Sequence, residues 1–235
     1  MGQEDARLRG QGIADPPIRD AATVIVLRDA QRAPKVLMGQ RGATAAFMPN
    51  KFVFPGGAVD PVDATVPLAC PLGPDCDARL RAEADAALAP ALVAAGIREL
   101  WEETGLILGR PGAWEAPAPK GWRGFAATGH LPTAEGLHFI FRAITPPGRP
   151  RRFDARFFLI EAEAIANDLD DFSRAEDELG LLQWIPLPDV RGFNLPFITE
   201  VVLAEVSGLL KSGLSPASVP FFDNRGPRSE FQRLH

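Results

Sequence analysis

The stretch that decides the fold is "AAGIRELWEETGLILG", residues 94–109. On a helix, successive side chains turn by about 100°, so Glu99, Glu102 and Glu103 point to one side. Gly105 stands where a glycine commonly caps the C-terminus of a helix. The stretch therefore predicts a helix, beginning near residue 90, with one buried face and one face crowded with carboxylates. The residues expected on the buried face are Val93, Ile97, Leu100, Trp101 and Thr104.

The crowding of the three glutamates needs a physical explanation. Like charges three or four residues apart destabilise a helix by a few tenths of a kcal/mol per pair. Arg98 precedes Glu102 by four residues and can pair with it, but one arginine does not neutralise three glutamates. A divalent cation would do so, and hard oxygen ligands suit Mg²⁺ or Mn²⁺. A solvated acidic surface is the alternative that the helix alone leaves open.

The remaining pattern alternates strands with helices. Residues 20–29, 35–41 and 51–60 form short apolar runs typical of strands, and Pro55 with two glycines ends the third of them. Residues 136–147, 151–162 and 181–187 are also strand-like, and residues 195–213 form an amphipathic helix. This order predicts an α/β fold, a single α/β/α sandwich around a mixed sheet.

The predicted domain covers residues 20–212, between a polar N-terminal tail (1–19) and a C-terminal tail (213–235) that either docks or frays. Within the domain, residues 61–89 are rich in proline and predict an inserted segment of loop and short helix. Such a segment can cover a pocket or build the interface of a homodimer, and the sequence favours neither. Cys70 and Cys76, both in the insertion, form either a loop disulfide or two thiols, in preference to a zinc site.

Composition excludes several classes of partner. The net charge is −5, from 25 basic and 30 acidic residues, which argues against a nucleic-acid polymer. No apolar run approaches the roughly 20 residues of a membrane span, and the first residues lack the apolar core of a signal peptide. We therefore expect no membrane partner and a cytoplasmic location. A small phosphate-containing ligand remains compatible with this charge.

Two motifs together resemble the Nudix hydrolase family. The box of that family runs G, five residues, E, seven residues, then R-E-apolar-x-E-E-x-G-apolar, and "RELWEETGL" (residues 98–106) matches its second half at every specified position. The stretch "FPGG" (residues 54–57) is similar to the residues that lead into the first half. The family spacing, however, would place the box glycine at Ala84 and the middle glutamate at Pro90. An insertion between Gly57 and Arg98 explains this departure.

With the box split in this way, Asp63 lies six positions after Gly57 and can stand for the middle acid, although Asp60 competes for that place. The resemblance implies metal-binding roles for Glu99, Glu102 and Glu103, with a backbone carbonyl from Gly57. The same resemblance gives catalytic roles to Glu99, Glu102 and Arg98, with Arg98 orienting a glutamate through a salt bridge.

Other members take their general base from a box glutamate or from a later loop. Glu176 and Glu178 are the later candidates here, and we select Glu178. Arg41 and Arg156 are the candidate substrate-binding residues.

The family hydrolyses the diphosphate linkage of nucleoside diphosphate derivatives with Mg²⁺ or Mn²⁺ and an activated water. The resemblance therefore implies a small-molecule substrate of this class. The split box and "FMPNKFVFPGG" also resemble the branch that includes coenzyme A diphosphatases, but Ala46 and Asn50 stand where that branch has arginine and glycine. A coenzyme A or acyl-coenzyme A diphosphatase is thus one alternative, and a non-catalytic nucleotide-sensing domain is another.

Overall fold

The computed structural model describes residues 15–226 and 228–235, so most of the predicted N-terminal tail lies outside the described residues. Four α-helices are α1 (Pro74–Arg81), α2 (Ala89–Thr104), α3 (Arg123–Ala126) and α4 (Phe197–Ser212). The strands are β1 (Ile18–Arg28), β2 (Lys35–Arg41), β3 (Phe52–Val53), β4 (Gly56–Ala58), β5 (Gly109–Pro111), β6 (His130–Pro132), β7 (His138–Ile144), β8 (Arg152–Glu161), β9 (Leu179–Pro186), β10 (Val219–Asp223) and β11 (Glu230–Leu234). No helix in these ranges is long and apolar enough to cross a membrane.

Nine strands form one mixed sheet in the order β11-β10-β7-β8-β1-β2-β3, with β4 beside β1 and β9 beside β2. β1 runs parallel to β8 and antiparallel to β2 and β4. One apolar core lies between the sheet and α2, and a second lies between the sheet and α4. The predicted α/β/α sandwich around a mixed sheet is confirmed.

Small residues bring α2 close to β1. A Cβ at Gly96 would lie 3.2 Å from Val24 Cγ2, which is tighter than most side-chain contacts, so this approach depends on the glycine. The five residues expected on the buried face of the helix are all at most 8% exposed. Gly105 ends the helix in the left-handed conformation with φ of 74°, where glycine carries no Cβ penalty.

The insertion between Gly57 and Arg98 contains a 3-10 turn (Pro61–Thr65), α1 and a second 3-10 turn (Ala86–Leu88). Loop and short helix were expected for residues 61–89, and the structure agrees. Cys70 and Cys76 are free thiols, so the disulfide alternative is wrong in this structure.

The C-terminal residues differ from the sequence expectation of a tail at 213–235. β10 and β11 form an antiparallel pair, and β10 joins the sheet beside β7. The apolar side chains of Val219, Phe221 and Leu234 are at most 4% exposed, which explains why this segment docks.

Candidate active site

The two halves of the split motif meet beside the C-terminal half of α2. β4 pairs with β1 through Gly57 opposite Ala22, and α2 lies over the same part of β1. The backbone nitrogen of Gly56 donates to Glu103 Oε2 at 2.8 Å. A Cβ at Gly57 would lie 2.4 Å from the carboxylate carbon of Glu99, so only glycine leaves room for that carboxylate.

Arg98 connects the acids of the site. Its Nε and Nη2 atoms donate to the two oxygens of Asp63 at 3.0 and 3.1 Å. Its Nη1 atom donates to Glu99 Oε1 at 2.9 Å and to Glu102 Oε2 at 2.7 Å. Burial alone would lower the pKa of Arg98, but hydrogen bonding to Asp63 and the surrounding carboxylates raise it above its ordinary value. The arginine therefore stays charged and fixes two glutamates relative to Asp63.

The sequence left Asp60 and Asp63 as competitors for the middle acid, and the structure places Asp63 against Arg98. Asp63 is 1% exposed and lies on the 3-10 turn that follows β4. It accepts hydrogen bonds from the backbone nitrogen of Asp60 at 2.8 Å and from Trp122 Nε1 at 3.0 Å, in addition to those from Arg98. Each oxygen of this buried carboxylate thus accepts two hydrogen bonds, which offset the cost of its burial.

The glutamate face, defined here as Glu99, Glu102 and Glu103, is largely removed from solvent. Glu103 is 2% exposed, and burial, followed by repulsion from Glu99, raises its pKa well above the ordinary value. Burial raises the pKa of Glu99 to about 7 despite the opposing charge of Arg98. The pKa of Glu102, whose side chain is 22% exposed, is also raised by burial. The alternative of a solvated acidic surface is therefore wrong.

The side chains of the glutamate face are of the type that binds a divalent cation, although their carboxylates do not converge on a single position in this structure. Among the described residues, no three His, Cys, Asp or Glu side chains are arranged to hold a metal ion, and Arg98 forms ion pairs with Glu99 and Glu102. Glu103 Oε1 is buried without a hydrogen-bond partner among the described residues. Buried carboxylates that lack countercharge, with hard oxygen donors, match the chemistry of Mg²⁺ or Mn²⁺.

Arg41 and Glu178 lie together next to this face. Arg41 is the last residue of β2 and Glu178 immediately precedes β9, and Arg41 Nη2 donates to Glu178 Oε1 at 2.9 Å. Burial and then the charge of Glu99 raise the pKa of Glu103, the charge of Glu178 raises it further, and the charge of Arg41 opposes this shift. The backbone nitrogen of Glu176 donates to the carbonyl oxygen of Glu102 at 2.7 Å. Glu176 and Glu178, the two later candidates for the general base, thus lie near the site, and the selection of Glu178 stays a prediction.

Arg156 is buried between two aspartates. Its side chain is 2% exposed, and its Nη1 atom donates to Asp20 Oδ1 at 2.5 Å and to the carbonyl oxygen of Asp154 at 2.8 Å. A guanidinium enclosed between two aspartates presents little surface to a ligand, and the substrate-binding role of Arg156 stays a prediction. Isolated basic residues in a strand-like run carry no signal for this pairing across the sheet.

Two further polar side chains support the site and were missed. Trp122 donates to Asp63, 59 positions away in the sequence. Asn167 accepts a hydrogen bond from the backbone nitrogen of Ile107 at 2.8 Å and donates one to the carbonyl oxygen of Gly105 at 3.0 Å. It therefore stabilises the segment that directly follows α2. Neither partner is a sequence neighbour, so no local pattern could have found these contacts.

Comparison with known proteins agrees with this geometry. No family model matches the chain. The Caenorhabditis elegans protein "Putative nudix hydrolase 7" is 29% identical over 179 residues, which are 71% of this chain and 51% of that protein. The chain thus spans about half the length of this curated relative.

Among solved structures, a NUDIX hydrolase from Alicyclobacillus acidocaldarius superposes with a TM-score of 0.59 at 28% identity. The match covers 83% of this chain and 96% of that one. It therefore includes almost the whole of a protein that bears the family name. The chain is therefore similar to members of the Nudix hydrolase superfamily in both sequence and fold.

Proposed function

We propose that this protein hydrolyses the diphosphate linkage of a nucleoside diphosphate derivative, with Mg²⁺ or Mn²⁺ and an activated water. The observation that carries the proposal is the buried glutamate face, where Arg98 is shared by two of three carboxylates and Glu103 Oε1 has no partner among the described residues. Buried carboxylates are costly unless charge nearby offsets them. A site that holds them in place, beside a glycine turn, is suited to a cation and a phosphate ligand.

Glu99, Glu102 and Glu103 would hold the cation, with a backbone carbonyl of Gly57. When bound, a divalent cation offsets charge on the phosphate oxygens and lowers the pKa of a bound water. Arg98 holds the carboxylates of Glu99 and Glu102 through hydrogen bonds of 2.9 and 2.7 Å. Such fixed orientation reduces the rearrangement needed during the reaction.

Arg41 and Glu178 supply a substrate contact and a general base in this proposal. The Arg41 side chain is 18% exposed and that of Glu178 is 56% exposed, so both reach solvent at the edge of the face. Arginine binds phosphate through its planar fork of donors, and a phosphate at Arg41 would compete with Glu178 for it. The carboxylate released from this pair could then accept a proton from the attacking water.

The identity of the group attached to the diphosphate is tested directly. The purified protein is incubated with Mg²⁺ or Mn²⁺ against coenzyme A, acyl-coenzyme A, ADP-ribose, NADH, dinucleoside polyphosphates and nucleoside triphosphates, and products are separated by chromatography. Glu102→Gln removes one acid of the face, and Glu163→Gln, at an exposed position, is the matched control. We expect metal-dependent turnover that is retained in Glu163→Gln and abolished in Glu102→Gln.

The same panel separates the alternatives. Turnover confined to coenzyme A compounds would assign the coenzyme A diphosphatase reaction. Binding of a nucleotide in calorimetry without turnover of any compound would identify a sensor domain. Full activity of Glu102→Gln would contradict the metal-binding role of the glutamate face.

A further inference from the structure

We propose that Trp122 is a positioning residue. Through its hydrogen bond to Asp63 it fixes the orientation of Arg98 and thereby of the glutamate face. The inference rests on the proposed function for its catalytic meaning, but its structural content can be tested without turnover. Trp122 is fully buried, and its Nε1 atom donates to Asp63 Oδ1 at 3.0 Å. The same oxygen accepts from Arg98 Nε at 3.0 Å. One carboxylate oxygen thus joins the indole to the arginine that orients two glutamates.

The indole ring is fixed by an aromatic cluster, here Trp101, Trp114, Trp122 and Phe125. Trp122 and Phe125 meet edge to face with centroids 5.5 Å apart, and Phe125 meets Trp101 of α2 in the same way at 6.0 Å. Such arrangements add to the stabilisation from burial alone. Because Trp101 lies on the helix that carries the glutamates, the cluster fixes the indole nitrogen relative to that helix.

The segment that carries Trp122 also passes beside the site. Gly121 has φ of 91°, a conformation that glycine adopts without strain. A Cβ there would lie 3.5 Å from Arg98 Cδ and 3.7 Å from Glu102 Oε1. The backbone at Gly121 therefore lies close to both the arginine and a glutamate.

The insertion gives a physical reason why Asp63 needs the hydrogen bond from Trp122. In an uninterrupted box seven residues lie between the middle acid and the arginine, whereas here Asp63 and Arg98 are 35 positions apart, with α1 and the second 3-10 turn between them. A long connection constrains the distance between its ends only weakly. The position of Asp63 opposite Arg98 must then come from tertiary contacts, and the Trp122 hydrogen bond is one that fastens Asp63 from outside the box.

The first test compares Trp122→Phe with Trp101→Phe. Trp122→Phe keeps an aromatic ring but removes the N–H donor to Asp63, and Trp101→Phe changes the same aromatic cluster from the helix side. Outer contacts that orient metal ligands typically contribute about 10- to 100-fold in metal affinity or activity. We expect Trp122→Phe to weaken Mn²⁺ binding, measured by electron paramagnetic resonance, by about 10-fold. Equal effects of the two substitutions would overturn the proposal.

A second test is independent of metal and of activity. Urea unfolding in EDTA is measured for Trp122→Phe, Arg98→Lys and the double variant, and a parallel cycle uses Trp101→Phe. If the indole acts on Arg98 through Asp63, the Trp122 cycle is non-additive and the Trp101 cycle is additive. Additivity in both cycles would overturn the positioning role, even if the wild-type protein binds no Mn²⁺ and the proposed function itself fails.

Glycine variants keep the proposal testable if Trp122→Phe does not fold. Gly121→Ala strains the segment next to Arg98, and Gly129→Ala imposes comparable strain, at φ of 78°, with no described atom within 4 Å of the new Cβ. We expect weaker Mn²⁺ binding in Gly121→Ala than in Gly129→Ala. Equal Mn²⁺ affinity in the two variants would contradict the positioning role of the segment that carries Trp122.

Discussion

In the metal-free protein, ionisation of Glu99 is expected to reduce stability as the pH rises. Burial raises the pKa of Glu99 from an ordinary value near 4.5 to about 7. Between these values the folded protein binds the proton more tightly than the unfolded chain, so the free energy of unfolding falls with increasing pH. Since one pKa unit corresponds to about 1.4 kcal/mol, the full loss is about 3 kcal/mol above pH 8.

The substitution Glu99→Gln removes this contribution, together with the repulsion by which Glu99 raises the pKa of Glu103. The burial of His138 lowers the pKa of that group and gives a pH dependence of opposite sign, so the wild-type curve alone is not diagnostic. The difference between variant and wild type cancels the His138 contribution. The variant should be more stable than the wild type by about 1 kcal/mol near pH 5.5 and by about 3 kcal/mol near pH 8.5.

Urea unfolding in EDTA at a series of pH values measures this difference, with Glu163→Gln as the exposed control. A difference in free energy of unfolding between Glu99→Gln and the wild type that is independent of pH, or that decreases as the pH rises, would refute the conclusion that Glu99 is a desolvated carboxylate. Saturating Mg²⁺ should stabilise the wild type more than Glu99→Gln, because a ligand that binds only the folded state raises the free energy of unfolding.

Two further predictions concern the neighbours of the glutamate face. Gly57→Ala should lower turnover by at least about 10-fold, because its Cβ would displace the carboxylate of Glu99. Gly73→Ala, where no described atom lies within 4 Å of the new Cβ, is the control, and equal steady-state rates in the two variants would contradict the close approach. Arg41→Ala should mainly raise KM, whereas Glu178→Gln should mainly lower kcat, by about 100-fold. A fall in kcat for Arg41→Ala with KM unchanged would count against a phosphate contact.

The local patterns of the sequence were sufficient for the main elements. The periodicity from Val93 to Thr104 predicted which residues of α2 pack against the sheet, because the apolar residues recur with the 3.6-residue turn of an α-helix. Gly105 marked the end of the helix, since a glycine there adopts the left-handed conformation without strain. The pairing of Arg98 with Glu102 also followed from spacing, because residues four apart are neighbours on a helix.

Other features depended on the insertion and on chain topology. The choice between Asp60 and Asp63 was made by the 3-10 turn that aims Asp63 at Arg98. The expected tail became two strands, because β10 could pair with the free edge of β7. These outcomes depend on pairing between segments far apart in the chain, and no repeat or spacing encodes it.

The sequence by itself determined that three carboxylates share one helix face with Arg98 at their base and that a glycine turn belongs to the same motif. Only the tertiary structure decided that this face is buried, that Arg156 is enclosed between Asp20 and Asp154, and that Trp122 fastens Asp63. The physical reason is that periodicity fixes directions around one helix axis. Desolvation and hydrogen bonding depend on which distant segments cover that face.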